Sequence, residues 1–228
     1  ALNTAILFER ERTVALTLQN RLLSTLPVTP DWIEVAASYV PATGLKIGGD
    51  WFQIIEASDG RLAAIVGDAV GHGIGSAAAM GQLRASFVTA VANDPDPVMA
   101  LHAVDRFAEL GADTIAASAA YILFDPNGTA RYASAGHPPI VVVQAGESAR
   151  IVEGARGSVL GLRGTPEESA TIAFNPGDLV VMFTDGLVES RTDPIDYGLQ
   201  RLVAAADASR HLAPQQMCEA IVASLTAE

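Results

Sequence analysis

The chain has 228 residues, half of them hydrophobic, with a formal net charge of -12 and a single cysteine. That is enough apolar material for one sizeable core, while the acidic balance argues against a nucleic-acid surface, whose affinity comes from clustered Lys and Arg. One cysteine excludes a disulfide framework, no apolar run reaches membrane-spanning length, and no secretory leader is visible, so the expected protein is soluble and cytoplasmic.

Residues 1–26 place Leu7, Val14, Leu18 and Leu22 at helical spacing, with Glu9, Arg10, Glu11 and Arg12 on the remaining surface and no capping signal at the start. This reads as a linker helix fed by an upstream sensor domain. It either packs on its own domain or transmits a signal, for instance through a homodimer. Residues 27–228 form the domain proper. Pro27, Pro30 and Pro41 punctuate its beginning, and Ile33 to Val40 is the first expected strand. Trp51 to Ile55 and Arg61 to Val66 flank Glu56-Ala-Ser-Asp-Gly60, a hairpin signature.

A helix is expected after Ser76, which offers an N-cap, with Met80, Leu83, Phe87 and Val91 along a core-facing stripe. Asp94-Pro-Asp-Pro97 ends it, and Val98 to Leu110 forms another helix closed by Gly111. His102 on that helix reads as a packed or surface histidine. Ile115 to Phe124 with Ala130 to Ser134, and Ile140 to Val143 with Arg150 to Val152, make two further hairpins. Ala170 to Phe174 and Leu179 to Thr184 complete the strands, and a last helix begins near Pro214. Repeated hairpins mean antiparallel pairing. The expected fold class is α+β, an antiparallel β-sandwich flanked by helices on both sides.

Three aspartates lie beside glycine at strand termini: Asp50 after Gly48-Gly49, Asp68 after Gly67, and Asp185 before Gly186. A lone Asp-Gly is usually only a turn, but three in matching contexts can converge at one sheet edge. The second is followed by Gly71, His72, Gly73 and Gly75, a density that brings backbone close to a ligand. Carboxylate oxygens are hard donors suited to Mg²⁺ or Mn²⁺, and no His or Cys cluster favours zinc. Two such ions would attract phosphate to an acidic protein and activate water for in-line displacement at phosphorus. Phosphoester hydrolysis by a metal-bridged hydroxide follows, with nuclease and pyrophosphatase chemistry left open by spacing alone.

The ordered set Gly48-Gly-Asp-Trp-Phe52, Gly67-Asp-Ala-Val-Gly-His-Gly73, Ala135-Gly-His-Pro-Pro139, Val159-Leu-Gly-Leu162 and Phe183-Thr-Asp-Gly-Leu-Val-Glu189 resembles the SpoIIE-type (RsbU-like) bacterial branch of the metal-dependent type 2C protein phosphatases. The resemblance runs from about Trp32 onward, and Leu18 to Leu23 is similar to the family's lead-in helix. It implies a serine/threonine phosphatase acting on a phosphorylated anti-anti-sigma (STAS) protein in a partner-switching pathway, with two Mn²⁺ or Mg²⁺ ions. By position, Asp68 corresponds to the aspartate bridging both metals, the Ala69 carbonyl to the backbone ligand that follows it, and Asp185 and Asp50 to ligands of one metal each. His72 takes the place of a general acid or of a group holding the turn, His137 is structural, and Lys46 is the nearest cation to a phosphate unless it is simply solvated. Gln53 and Val70 depart from the family pattern without removing a ligand. The family continues into a strand bearing a further Asp pair, whereas this sequence stops at Glu228, and Asp193, Asp196 and Asp207 do not replace that pair by position. The chain is therefore expected to be a C-terminally incomplete piece of a larger protein, and a catalytically inactive signalling module and a small-molecule phosphoesterase stand as alternatives.

Overall fold

The computed structural model describes residues 26–40, 48–71, 73–110, 115–190 and 194–226. The helix expected over residues 1–26 lies, apart from Leu26, outside the described residues. The others build two sheets between two helical layers, as the hairpin pattern predicts.

The larger sheet runs in the order β1 (Asp50–Glu56), β2 (Leu62–Ala69), β3 (Ala117–Asp125), β4 (Thr129–Ala135). The far edge of β4 pairs with β7 (Arg156–Gly157) at one end and β8 (Ala170–Ala173) at the other. The smaller sheet is β6 (Arg150–Ile151), β5 (Val141–Val143), β9 (Leu179–Val181), in that spatial order. All pairings are antiparallel except β4 with β7. Each hairpin expected from the sequence is present. The strand expected over Ile33–Val40 is not: the segment is irregular, with Ile33 and Val35 packed against the core between the sheets. Its apolar residues are used for packing and not for a ladder.

Period-two alternation sorts the larger sheet into two faces. Trp51, Ala63, Ile65, Tyr121 and Leu123 face α1 (Ile74–Asn93) and α2 (Pro97–Leu110), meeting Met80, Leu83, Phe87, Leu101 and Val104. The expected stripe Met80, Leu83, Phe87, Val91 is fully buried. Phe87 meets Tyr121 edge-on with ring centroids 5.0 Å apart, a favoured aromatic geometry. On the other face Ile54, Leu62, Ala64, Ile122 and Tyr132 meet Ile140, Val142 and Val152 inside the sandwich. Strand β3 is covered on both sides, which is why it reads as a nearly continuous apolar run. The outer face of the smaller sheet, with Val141 and Val143, packs on α3 (Ile195–Ser209) and α4 (Pro214–Thr226) through Leu202, Ala206, Met217 and Ile221.

Helix α3 and strand β7 were not foreseen. Helix α1 starts earlier than expected, because Gly73, at φ 88°, takes the N-cap position. Ser76 then falls inside the first turn, and its hydroxyl donates to the Ala69 carbonyl at 3.2 Å.

Gly198, buried within α3, has a steric reason: a Cβ there would overlap the Val188 carbonyl oxygen, just past the turn that holds Asp185. Helix propensity alone says that Gly198→Ala stabilises α3 by about 1 kcal/mol. The close approach says the reverse, an overpacking cost of roughly 1–3 kcal/mol. Thermal unfolding should show Tm falling by about 2–10 °C; an unchanged or raised Tm would contradict this packing.

Candidate metal centre

Asp50 opposes Asp68 directly across the β1–β2 ladder. Both lie on the face that carries Ile54, Ala64 and Leu62 into the sandwich, so they continue the core row at the end where apolar filling stops. Gly49 lets the chain enter β1 close against the end of β2, where a Cβ would overlap the Ala69 carbonyl oxygen and Asp68 Oδ1. Its own carbonyl accepts the Ala69 N–H at 3.0 Å. Asp185 arrives from the other sheet, in a 3₁₀ turn (Asp185–Leu187) just after β9. One oxygen from each of Asp50, Asp68 and Asp185 lies within 4.8 Å of the other two.

Like charges directly opposite on neighbouring strands repel, and here a third joins them in a half-buried setting. Burial, then Asp50, Asp185 and Glu189, push the Asp68 carboxyl up to about 7. Asp50 is also raised, by burial and by Asp185, against the lowering effect of a hydrogen bond from the Thr184 side chain. Among the described residues no ion pair neutralises these carboxylates. A cluster of hard oxygen donors with no counter-charge among the described residues fits a small divalent cation.

Of the residues singled out from sequence, Asp50, Asp68 and Asp185 are thus brought together. Ala69 follows Asp68 at the strand end, with its carbonyl engaged by Ser76. His72 and Lys46 lie outside the described residues. Glu189 was missed as a member of the acidic set. It follows Asp185 by four positions, and its N–H donates to the Asp185 carbonyl at 2.7 Å, so the 3₁₀ turn folds it back toward Asp68. The visible signal was a second acid in the same motif.

His137 is also part of this architecture. The ring is 1% exposed, with Nδ1 2.7 Å from Ser118 Oγ and Nε2 2.9 Å from the Phe183 carbonyl oxygen. A carbonyl only accepts, so Nε2 carries the proton and Nδ1 accepts from the serine hydroxyl. Burial pushes the imidazole down to about 4, outweighing the Phe183 carbonyl and Asp185, so the ring is neutral at physiological pH.

The family profile of Stage II sporulation protein E (SpoIIE) matches residues 58–228. The chain belongs to the SpoIIE family. Within curated proteins, phosphoserine phosphatase RsbU of Bacillus subtilis is 26% identical over 186 residues, 79% of this chain and 54% of RsbU. Among solved structures, the RsbU and RsbW domains of Rv1364c from Mycobacterium tuberculosis share 34% identity and superpose with a TM-score of 0.72, over 84% of this chain and 52% of that one. The SiaA-PP2C domain of Pseudomonas aeruginosa shares the fold at 21% identity, with a TM-score of 0.66 over 79% of this chain and 73% of that one. The SpoIIE-family chain spans about half the length of RsbU and of the Rv1364c structure. It lies in the RsbU-like branch of the metal-dependent phosphatase fold.

The electrostatics fix a pH dependence. Because the folded, metal-free Asp68 titrates near 7 against an unfolded value of 3.8, its carboxyl favours folding while protonated, and that contribution is lost as pH rises through 7. In chelator at pH 8, Asp68→Asn should raise Tm by about 2–4 °C, the shift given by the ~1 kcal/mol left after solvent screening of a half-exposed group. At pH 5 the gain should shrink to roughly a third, and it should vanish only below the unfolded value of 3.8. Protons and metal compete for the same oxygens, so calorimetric Mn²⁺ affinity should weaken about tenfold per unit below pH 7 and level off above pH 8. A flat profile would mean that Asp68 is not a ligand.

Proposed function

We propose that this SpoIIE-family chain is a Mn²⁺- or Mg²⁺-dependent phosphoserine/phosphothreonine protein phosphatase, and that its substrate is a phosphorylated STAS-domain anti-anti-sigma protein. The observation that carries the reading is the convergence of Asp50, Asp68 and Asp185 from two sheets on one point. Membership of the family and similarity to a phosphoserine phosphatase support the same chemistry.

When bound, the cations supply Lewis acidity, lower the pKa of water and offset the charge of the phosphoester. The chain's own residues hold them there. Asp68, raised by burial and by its acidic neighbours, would be the carboxylate most relieved by a bound cation. Asp185 and Asp50 would hold the cations with it, and the Ala69 carbonyl, which accepts from Ser76, would contribute through its other lone pair. Glu189 adds negative charge close by. His72 donates a proton to the leaving serine oxygen, and Lys46 steadies the phosphate. The pronounced negative charge of the whole chain would repel a phosphoprotein in the absence of these ions, which makes metal binding a condition of substrate approach as well as of chemistry.

The test is phosphate release from a phosphoserine STAS-domain protein in Mn²⁺, in Mg²⁺ and in chelator, beside Asp185→Asn and with p-nitrophenyl phosphate as a small competitor substrate. Release should require metal, favour the phosphoprotein, and fall at least about 100-fold in the variant, since even outer-shell groups cost 10–100-fold. Metal-independent release would overturn the reading. Silence at saturating Mn²⁺ with retained STAS binding would instead establish a non-catalytic signalling module, and preference for the small ester a small-molecule phosphoesterase.

A further inference from the structure

The two sheets that supply the carboxylates are linked at the site by the Thr184 side chain, bonded to Asp50, and more deeply by the buried side chain of His137. Ser118 on β3 is the register partner of Asp68, and Phe183 lies two positions before Asp185. The His137 ring spans the gap between them, donating from Nε2–H to the Phe183 carbonyl and accepting from the Ser118 hydroxyl. Its own backbone is held in turn, with the His137 N–H on Ser134 Oγ at 3.3 Å and the Ser134 hydroxyl on the His137 carbonyl at 3.2 Å. Gly136, at φ 65°, makes the bend that sends the ring inward, and a Cβ there would collide with Val159. The loop is therefore anchored on both sides of the imidazole.

We propose that His137 is the positioning residue of the metal centre: an imidazole that, bonded to Phe183 through Nε2–H and to Ser118 through Nδ1, fixes the distance between Asp68 on one sheet and Asp185 on the other. The proposal rests on the metal-binding reading of the three carboxylates. It assigns His137 a role beyond shaping its own loop. Asp185 sits in a short 3₁₀ turn whose backbone bonds close locally, Leu187 on Thr184 and Glu189 on Asp185, so what ties it to the larger sheet is side-chain bonding, from Thr184 to Asp50 at the rim and through the His137 ring beneath. The Phe183 carbonyl is the buried handle by which His137 holds it. If the ring lets go, the fold retains its three apolar clusters, but the third carboxylate is free to back away from the other two, as their repulsion favours.

Three variants separate this from a merely structural role. Gln at position 137 places an N–H donor near the Nε2 position and an acceptor toward Ser118. Asn reaches only as far as Nδ1, and Leu fills space without either bond. The readout is Mn²⁺ binding by calorimetry and by the spin-resonance signal of free Mn²⁺, with Tm in chelator as the fold control and phosphate release measured alongside. Expected results are a loss of Mn²⁺ affinity of about 10–100-fold in His137→Asn and His137→Leu, as for other groups that orient metal ligands, and recovery to within a few-fold of the wild type in His137→Gln. Phosphate release should be restored in the weak binders by raising Mn²⁺.

Ser118→Ala frees the other end of the ring without emptying the site, and should weaken Mn²⁺ several-fold. It decides the matter if the position-137 variants do not fold. Unchanged Mn²⁺ affinity in folded Asn and Leu variants, Gln no better than Asn, or an unaffected Ser118→Ala protein would each overturn the proposal. The outcomes are distinct from those of the phosphatase reading. A wild-type chain that binds Mn²⁺ but releases no phosphate defeats the catalytic assignment alone, and one that binds no Mn²⁺ defeats both.

Discussion

Repulsion among Asp50, Asp68 and Asp185 is the constraint around which the molecule is built. Three carboxylates cannot be held this close by any attraction of their own, and the raised pKa of Asp50 and Asp68 reflects burial first and this repulsion after it. What holds them is the rigidity of the elements behind them. Two come from a hairpin locked in register by a seven-pair ladder, and the third from a turn pinned between a second sheet and a helical layer. The local charge makes the site unfavourable when empty of cations and correspondingly receptive to them.

The layers explain why the scaffold tolerates this. Three apolar clusters, one on each face of the larger sheet and one beneath α3 and α4, confine the charge to one end of the sandwich. Burial inside a well-packed core resists small displacements because it leaves no spare volume for them. Gly49 and Gly198 mark two places where backbone meets backbone so closely that not even a methyl group fits. Both lie next to the acidic residues, Gly49 beside Asp68 and Gly198 against the turn that ends at Glu189. Close approach at these two places leaves the backbone behind the carboxylates little room to shift.

Much of this was legible in the chain. The hairpins announce themselves because turn chemistry and strand alternation are local, and the three Asp-Gly neighbourhoods stand out because each ends an apolar run. What escaped depends on partners distant in sequence. Ile33 to Val40 alternates like a strand, yet pairing is decided elsewhere, and only Ile33 and Val35 find use in the core. Strand β7 is two residues long and exists through its pairing with Ser134 and Ala135. Helix α3 was obscured by its own composition, since Gly198 and a run of alanines dilute the spacing of Leu199, Leu202 and Val203. Ser76 has the chemistry of an N-cap, but Gly73 occupies that place, and the serine turns to Ala69 instead. His137 could be read as a loop histidine, but the two atoms it touches belong to other strands and no local pattern names them.

The connection between β8 and β9 bears on how such a protein acquires its site in time. Strand β8 belongs to the larger sheet and β9 to the smaller, and the turn between them is tied by Asp178, which accepts from the N–H groups of Asn175 and Ala145. The chain that brings Asp185 to its place therefore changes sheets only a few residues before reaching it. Contacts of such long sequence separation are costly to close early, so the carboxylates meet only once the two sheets have docked. Cations bound to them would then act on a feature that the folding transition state has yet to form. They would lengthen the lifetime of the native protein by slowing its unfolding while leaving the speed of folding nearly untouched.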